Sequence, residues 1–297
     1  MSESDLSAFS WPEWDHAPQR VVSLVPSITE SLFQLGFGKS VVGITDYCTR
    51  PAEKLTQITR VGGPKNPDVE VIRRLNPDVV IGNQEETGRE TVESLAAAGL
   101  KVWLVFPKTV EDSMDMLRQF LALYHTDQPV MMVNMLQVSV DYAEAAAADM
   151  PRVRYFCPIW MDQTGEHEWW MTFNKETYPH DLLRILGGEN VFANRERRYP
   201  LEADLGSTEA EEPGERDTRY PRVTVEEVLA AQPELILLPD DPFHFTEAHR
   251  QTIMARFADT PAVRNHQVFF VDGSLLTWYG TRLAKAIQTL PSFFSLT

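Results

Sequence analysis

Between Tyr155 and Phe173, six of nineteen residues are aromatic (Tyr155, Phe156, Trp160, Trp169, Trp170 and Phe173), against 10% aromatics in the whole 297-residue chain. Strand alternation sends one of Tyr155 and Phe156 inward whatever the chain does. Trp160 and Trp169-Trp170, however, flank a polar run from Asp162 to Glu168, and three tryptophans around a polar loop point to a ligand surface. Trp278-Tyr279, Tyr47 and Tyr220 fall in other strand-to-helix loops. Rings gathered on such loops suit a large, flat, partly apolar molecule such as a tetrapyrrole, held by area and stacking more than by charge. Ser27, Asn83 and Gln84 are the polar groups expected to orient it.

Signatures of covalent chemistry are weak. Gly36-Phe-Gly38 lacks a third glycine and follows a helix, so it reads as a helix-terminating turn and not a dinucleotide loop. No phosphate-binding loop, Gly-x-Ser-x-Gly or His-Glu-x-x-His occurs. Glu166-His167-Glu168 and the pair His244/His249 lack a metal-ligand spacing, which leaves His167 as a weak metal candidate and exposed histidines as the plainer reading. Cys48 and Cys157 cannot make a disulfide framework and read as small buried hydrophobes.

Charge narrows the partners. With 27 basic and 43 acidic residues the formal net charge is −16, which repels a phosphate backbone, so nucleic acid is not expected. Seven of the carboxylates lie between Glu202 and Asp217, a stretch nearly free of large apolar residues that reads as an exposed insertion. No run approaches the roughly 18–20 apolar residues that span a bilayer, so no membrane insertion is expected. Met1 to Arg20 carries acidic residues and Trp11-Pro12-Glu13-Trp14 where an export signal would be basic and then apolar, which leaves a cytoplasmic protein or a chain without its leader.

The elements that must position these residues alternate. Arg20 to Pro26 reads as a strand leading into a helix that Ser27 or Thr29 caps and that runs through Leu35. Val41 to Ile44, Asp78 to Ile81 and Lys101 to Phe106 read as strands, Val69 to Leu75 and Arg89 to Ala98 as helices. Val110 to Met150 shows no strand signal, and Val130 to Asp149 reads as one helix, a rod of about 30 Å at 1.5 Å per residue. Alternation then resumes, with strands at Val153 to Phe156, Leu235 to Leu238 and Val268 to Val271. Helices are expected at Tyr178 to Leu186, Val225 to Ala231, Ala248 to Phe257 and Thr281 to Leu290. The segment Val69 to Ile81 is echoed by Val225 to Leu237, each a helix, a proline (Pro77, Pro233) and a strand. The expected fold class is α/β, two Rossmann-like lobes with mostly parallel sheets joined by one long backbone helix. The boundaries are an N-terminal extension at 1–19, a first lobe at 20–109, a helical connection at 110–150 and a second lobe at 151–297 with the acidic insertion at 202–217. Ligands of such sheets bind outside the carboxyl ends of the strands, here in a crevice between the lobes.

Arg20 to Gly36, Val42 to Pro51, Val61-Gly-Gly, Leu75 to Ile81, Leu186 to Phe192 and Gly280-Thr-Arg-Leu-Ala-Lys-Ala-Ile together resemble the helical-backbone (class III) substrate-binding proteins of ABC importers, the group of vitamin B12, iron–siderophore and haem binders. The resemblance spans about Arg20 to Leu290. It implies a monomer with no intrinsic cofactor that holds cobalamin or another corrinoid, haem or a ferric siderophore, in the periplasm or at the cell surface. It also implies that Glu70 and Glu226 dock on an ABC permease, one carboxylate per lobe, and that Tyr47 and Tyr220 fall near pocket positions. Where the vitamin B12 binder has tryptophans in two first-lobe loops, this chain has Gly62-Gly63 and Asn83-Gln84. Three functions remain open at this level. The first is delivery of such a chelate to an importer. The second is a cytoplasmic binder or chaperone of the same ligands. The third is a chelatase-like enzyme relying on His167, His180 or Glu168.

Overall fold

Val21–Ser23 (β1), Val41–Ile44 (β2), Thr59–Arg60 (β3), Val79–Asn83 (β4) and Val102–Val105 (β5) form one sheet in the order β3-β2-β1-β4-β5, with every pairing parallel. The central strands are short runs of β-branched residues, and Val21, Val22, Val79, Val80 and Ile81 are at most 1% exposed, the continuous burial that a parallel sheet imposes. The computed structural model describes residues 15–165 and 167–295. The chain divides into two compact units, Met1–Val138 with Trp278–Ala284, and Ser139–Thr277 with Lys285–Thr297. The first helix covers Pro26–Gln34, with Pro26 in its first turn and no side-chain cap. Ser27 and Thr29 therefore lie inside the helix instead of capping it, because a proline already suited to the first turn replaces the capping residue. Gly36 ends that segment at φ +88°, the left-handed turn expected of it.

The second unit is built on Val153–Phe156 (β6), Trp160–Thr164 (β7), His167–Met171 (β8), Gly188–Asn190 (β9), Arg222–Thr224 (β10), Leu235–Pro239 (β11) and Val268–Val271 (β12). Strands β12-β11-β6-β9 make a four-stranded parallel sheet. A separate antiparallel sheet, β10-β8-β7, was not expected. The polar run Asp162 to Glu168 is thus not a loop but the tip of a hairpin turning at Gly165, φ +60°. Its core-facing partners are aromatic, so the polar residues in the middle hide a strand pair. The helix Val130–Ala148 is continuous, and the chain passes from the first unit to the second within it.

The acidic stretch is only partly what its composition suggests. Leu201–Asp204 is a short helix, and Asp204 is 1% exposed. Its carboxylate pairs with Arg195 at 2.9 Å and accepts the backbone N–H groups of Arg198 and Arg222 at 2.9 and 2.8 Å, which compensates the cost of burying it. Glu209, Glu211, Glu212 and Glu215 remain exposed. The final helical segment is likewise broken, into a 3-10 turn at Gly280–Arg282, an α-helix at Leu283–Thr289 and a second 3-10 turn at Leu290–Phe293.

The internal echo is structural. Helices Val69–Leu75 and Val225–Ala231 are capped at their N-termini by Asp68 and Thr224 and ended by left-handed residues, Asn76 at φ 45° and Gln232 at φ 47°. Beyond each proline a carboxylate takes the start of a central strand. Asp78 accepts the N–H of Arg20 at 2.9 Å, while the Arg20 guanidinium returns to the helix-end carbonyl of Leu75 at 2.6 Å. Glu234 accepts the N–H of Arg154 at 3.0 Å, and Arg154 donates to the carbonyl of Ala231 at 2.6 Å. The same clamp, built from an arginine and an acid across a helix–proline–strand turn, ties helix to sheet in each unit.

Candidate functional site

In the first unit the connections run outward in opposite directions from β1 and β4, so the carboxyl ends of these strands are the place where a ligand crevice forms. Ser27 follows β1, Asn83 ends β4 and Gln84 follows it. Asn83 is 1% exposed; its Nδ2 donates to the Tyr279 hydroxyl at 2.7 Å and its Oδ1 accepts the N–H of Glu85 at 2.6 Å. Burial first, and the charge of Glu86 after it, push the Tyr279 phenol well above its ordinary pKa, so it stays protonated. Asn83 and the nearby Ser27 hydroxyl pull the other way, although Ser27 falls short of hydrogen-bond geometry.

Tyr279 arrives from the far end of the chain on a pinned segment. Gly280 N–H donates to Ser113 Oγ at 2.7 Å, Thr281 N–H to Ser31 Oγ at 3.1 Å, and Arg282 pairs with Glu30 at 3.3 Å, both side chains 6% exposed. Gly280 sits at φ +83°, and an added Cβ would come within 2.3 Å of Ser31 Oγ, so only glycine fits this approach. Asn83 and Tyr279 therefore fix two loops, with Ser27 buried beside them, and the groups those loops present are Gln84 and Trp278, both half-buried. Tyr47 is 64% exposed, and the guanidiniums of Arg50 and Arg282 each lie 5.9 Å from the Trp278 ring.

The second unit branches outward from β6 and β11. At the carboxyl ends of these strands Trp160, 41% exposed, meets Phe243 edge-on at 5.2 Å, and Phe243 meets Phe245 at 4.8 Å. Beside them are Asp240 and Asp241; partial desolvation, then the charges of Asp240 and Asp272, raise the Asp241 carboxyl above its ordinary value. Phe243 was missed by sequence reading, and its only signal was its place just after a strand.

The three tryptophans separate. Trp170 is fully buried, 4.8 Å from Phe257, in a core with Phe156, Val223 and Ile236. It is not a surface residue, because hairpin pairing turns its face onto the parallel sheet's helices. Trp169 is 6% exposed, its indole N–H donating to Thr164 Oγ1 at 3.0 Å, with the Arg222 guanidinium 5.7 Å from its ring. Tyr220 is half-buried with Arg219 at 5.4 Å.

The remaining candidates are peripheral. Glu70 and Glu226 are both exposed in the first turns of the echoed helices. Glu70 holds Arg73 at 3.0 Å, and Glu226 is kept below the usual carboxylate range by helix N-terminal hydrogen bonds, its own N–H first and Thr224 next. His167 is exposed, and Glu168 pairs with Arg256 at 2.6 Å; Glu166 lies outside the described residues. Burial lowers the pKa of His180. Among the described residues no group of three or more His, Cys, Asp or Glu is placed to hold a metal ion, and no helix is long and apolar enough to cross a membrane. Cys48 and Cys157 are free and buried.

Rings at strand carboxyl ends in the second unit, and in the first an Asn83–Tyr279 pair that satisfies itself behind Gln84 and Trp278, suit binding. Comparison with known proteins agrees. The chain is 30% identical to the vitamin B12-binding protein of Salmonella typhimurium over 76% of its own length and 74% of that protein's. Its fold matches the periplasmic vitamin B12 binding protein of Vibrio cholerae with a TM-score of 0.70 at 21% identity, covering 94% of this chain and 97% of that one. A periplasmic haem binding protein of Vibrio cholerae matches with a TM-score of 0.72 at 17% identity, over 94% and 99% of the two chains. These are binding proteins and not enzymes, which removes the chelatase reading. With residues 21–275 matched by the family described as periplasmic binding protein, the chain belongs to that family.

Proposed function

We propose that this protein binds a corrinoid or a related metal chelate and delivers it to an ABC importer. The observation that carries the delivery half is the repeated presentation of one exposed carboxylate, Glu70 or Glu226, in the first turn of the same capped helix in each unit. Two equivalent charges, one on each unit, give a permease both attraction and orientation. The ligand half is supported by the vitamin B12-binding relative and by exposed rings at strand carboxyl ends. We assign Tyr47, Gln84 and Trp278 in the first unit, and Trp160 and Tyr220 in the second, to ligand contact. Asn83 and Tyr279 act behind them by fixing the loops, with Ser27 buried beside the pair. The ligand is cargo, with no resident cofactor, and the place of work is outside the cytoplasmic membrane.

Titration with cobinamide, cobalamin, hemin and a ferric siderophore, followed by tryptophan fluorescence and ligand absorbance, tests the ligand class. At least one is expected to bind in the micromolar range or tighter, with Trp160→Ala weakening it about tenfold, as loss of a stacking contact near 1.4 kcal/mol implies. No response to any of the four overturns the reading. Glu70→Lys with Glu226→Lys is expected to abolish uptake in cells while leaving that affinity unchanged.

A further inference from the structure

The segment Arg195-Glu-Arg-Arg-Tyr199 and the segment Arg216 to Arg222 bring six arginines into a chain region that composition marks as acidic. The two segments are tied by the Arg197 N–H donating to the Thr218 carbonyl at 2.8 Å and the Tyr199 hydroxyl donating to the Asp217 carbonyl at 2.6 Å. The guanidiniums of Arg197 and Arg216 lie 4.4 and 4.3 Å from the Tyr199 ring, and Arg222 is close enough to act on the same phenol. Two cations face one ring, and the third lies over Trp169 at 5.7 Å.

The carboxylates available to neutralise them are committed elsewhere. Asp217 holds Arg219 at 2.6 Å, Glu211 holds Arg216 at 3.2 Å, Glu227 holds Arg195 at 2.8 Å, and Asp204 serves Arg195 together with two backbone N–H groups. Arg222 reaches Asp204 only at 3.9 Å, and Arg197 has no ion pair among the described residues. The Nε atoms of both Arg197 and Arg222 are buried without a hydrogen-bond acceptor. Desolvation first, and then the charge of Arg197, lower the Arg222 pKa and outweigh the opposing charge of Asp204. Arg197 on the Tyr199 ring with no ion pair among the described residues, and Arg222 with one at only 3.9 Å, are the arrangement that receives a carboxylate or phosphate through several charge-assisted hydrogen bonds.

We infer that Arg197, stacked on Tyr199, and Arg222, stacked on Trp169, form a subsite for a carboxylate or phosphate group. The inference rests on the second unit alone and holds whichever cargo the protein carries.

Isothermal titration of the full chain with inorganic phosphate and with citrate, against chloride at equal ionic strength, tests it. Wild type is expected to bind at least one of the two oxyanions in preference to chloride. Arg197→Gln and Arg222→Gln are each expected to weaken this about tenfold, Arg197→Lys less, and Arg89→Gln in the first unit not at all, with circular dichroism confirming that all fold. Competition then distinguishes the source of the anion. If phosphate displaces hemin, the subsite takes an acidic arm of the cargo; if the two bind independently, it takes a free anion, and either result supports the site. No preference over chloride, or a preference unchanged in both Arg197→Gln and Arg222→Gln, overturns it.

Discussion

The two units share the amino-terminal side of their sheets and differ on the carboxyl-terminal side. In both, a helix ends in a left-handed residue, a proline follows, an acid takes the backbone of a central strand, and that strand's arginine returns to the helix-end carbonyl. At the opposite ends of the same strands the first unit has a closed polar pair, Asn83 and Tyr279, with Ser27 buried beside it, whereas the second has edge-packed rings, Trp160, Phe243 and Phe245, next to paired aspartates. The frame is repeated because it solves one packing problem twice. The chemistry is not, because loops beyond the strand ends are free to change without disturbing helix or sheet.

Breaking the second unit's core gives the largest effect. Trp170→Ala removes a fully buried indole from among Phe156, Phe257 and Ile236 and is expected to cost about 3–5 kcal/mol in urea unfolding. Trp160→Ala, at a half-exposed position, is expected to cost under about 1 kcal/mol while weakening ligand binding. Equal losses from the two substitutions would erase the distinction between core and rim. Next in size is the clamp. Arg20→Ala and Arg154→Ala each free one helix-end carbonyl and are expected to lose about 1 kcal/mol apiece, summing in the double variant because they share no partner. A loss in one unit only would show the repeat to be geometric and not energetic.

The alternation of elements and the echo of Val69 to Ile81 in Val225 to Leu237 were readable because they rest on local rules: periodicity, caps and prolines. The hairpin β7-β8 was not, because Asp162 on one face and Gln163 and Glu168 on the other put polar residues on both sides of its tip and masked the alternation. Nor could Asn83 and Tyr279 be paired from sequence, standing 196 residues apart with no pattern to join them. The burial of Asp204 was hidden for a similar reason: composition counts a carboxylate as surface, while Arg195 and two backbone amides pay its desolvation. Local chemistry writes itself into sequence, and long-range satisfaction of polar groups does not.

The smallest expected effect is acid sensitivity carried by the second unit. His180 is half-buried, and its Nδ1 lies 3.4 Å from the Asn190 amide nitrogen, which itself donates to the Phe173 carbonyl at 2.9 Å. A donor facing Nδ1 makes that nitrogen the acceptor and puts the proton on Nε2. A second proton would set donor against donor, and burial opposes the added charge, so the folded-state pKa lies below the unfolded value of 6.5. Below that unfolded value the denatured chain binds more protons than the native one, and stability present at neutral pH is lost as pH falls. His180→Gln, which cannot titrate, is therefore expected to flatten the decline in melting temperature between pH 7 and pH 5, with little change at pH 8. If the decline is unchanged in this variant, the acid sensitivity resides elsewhere, and His180 is indifferent to its protonation in the fold.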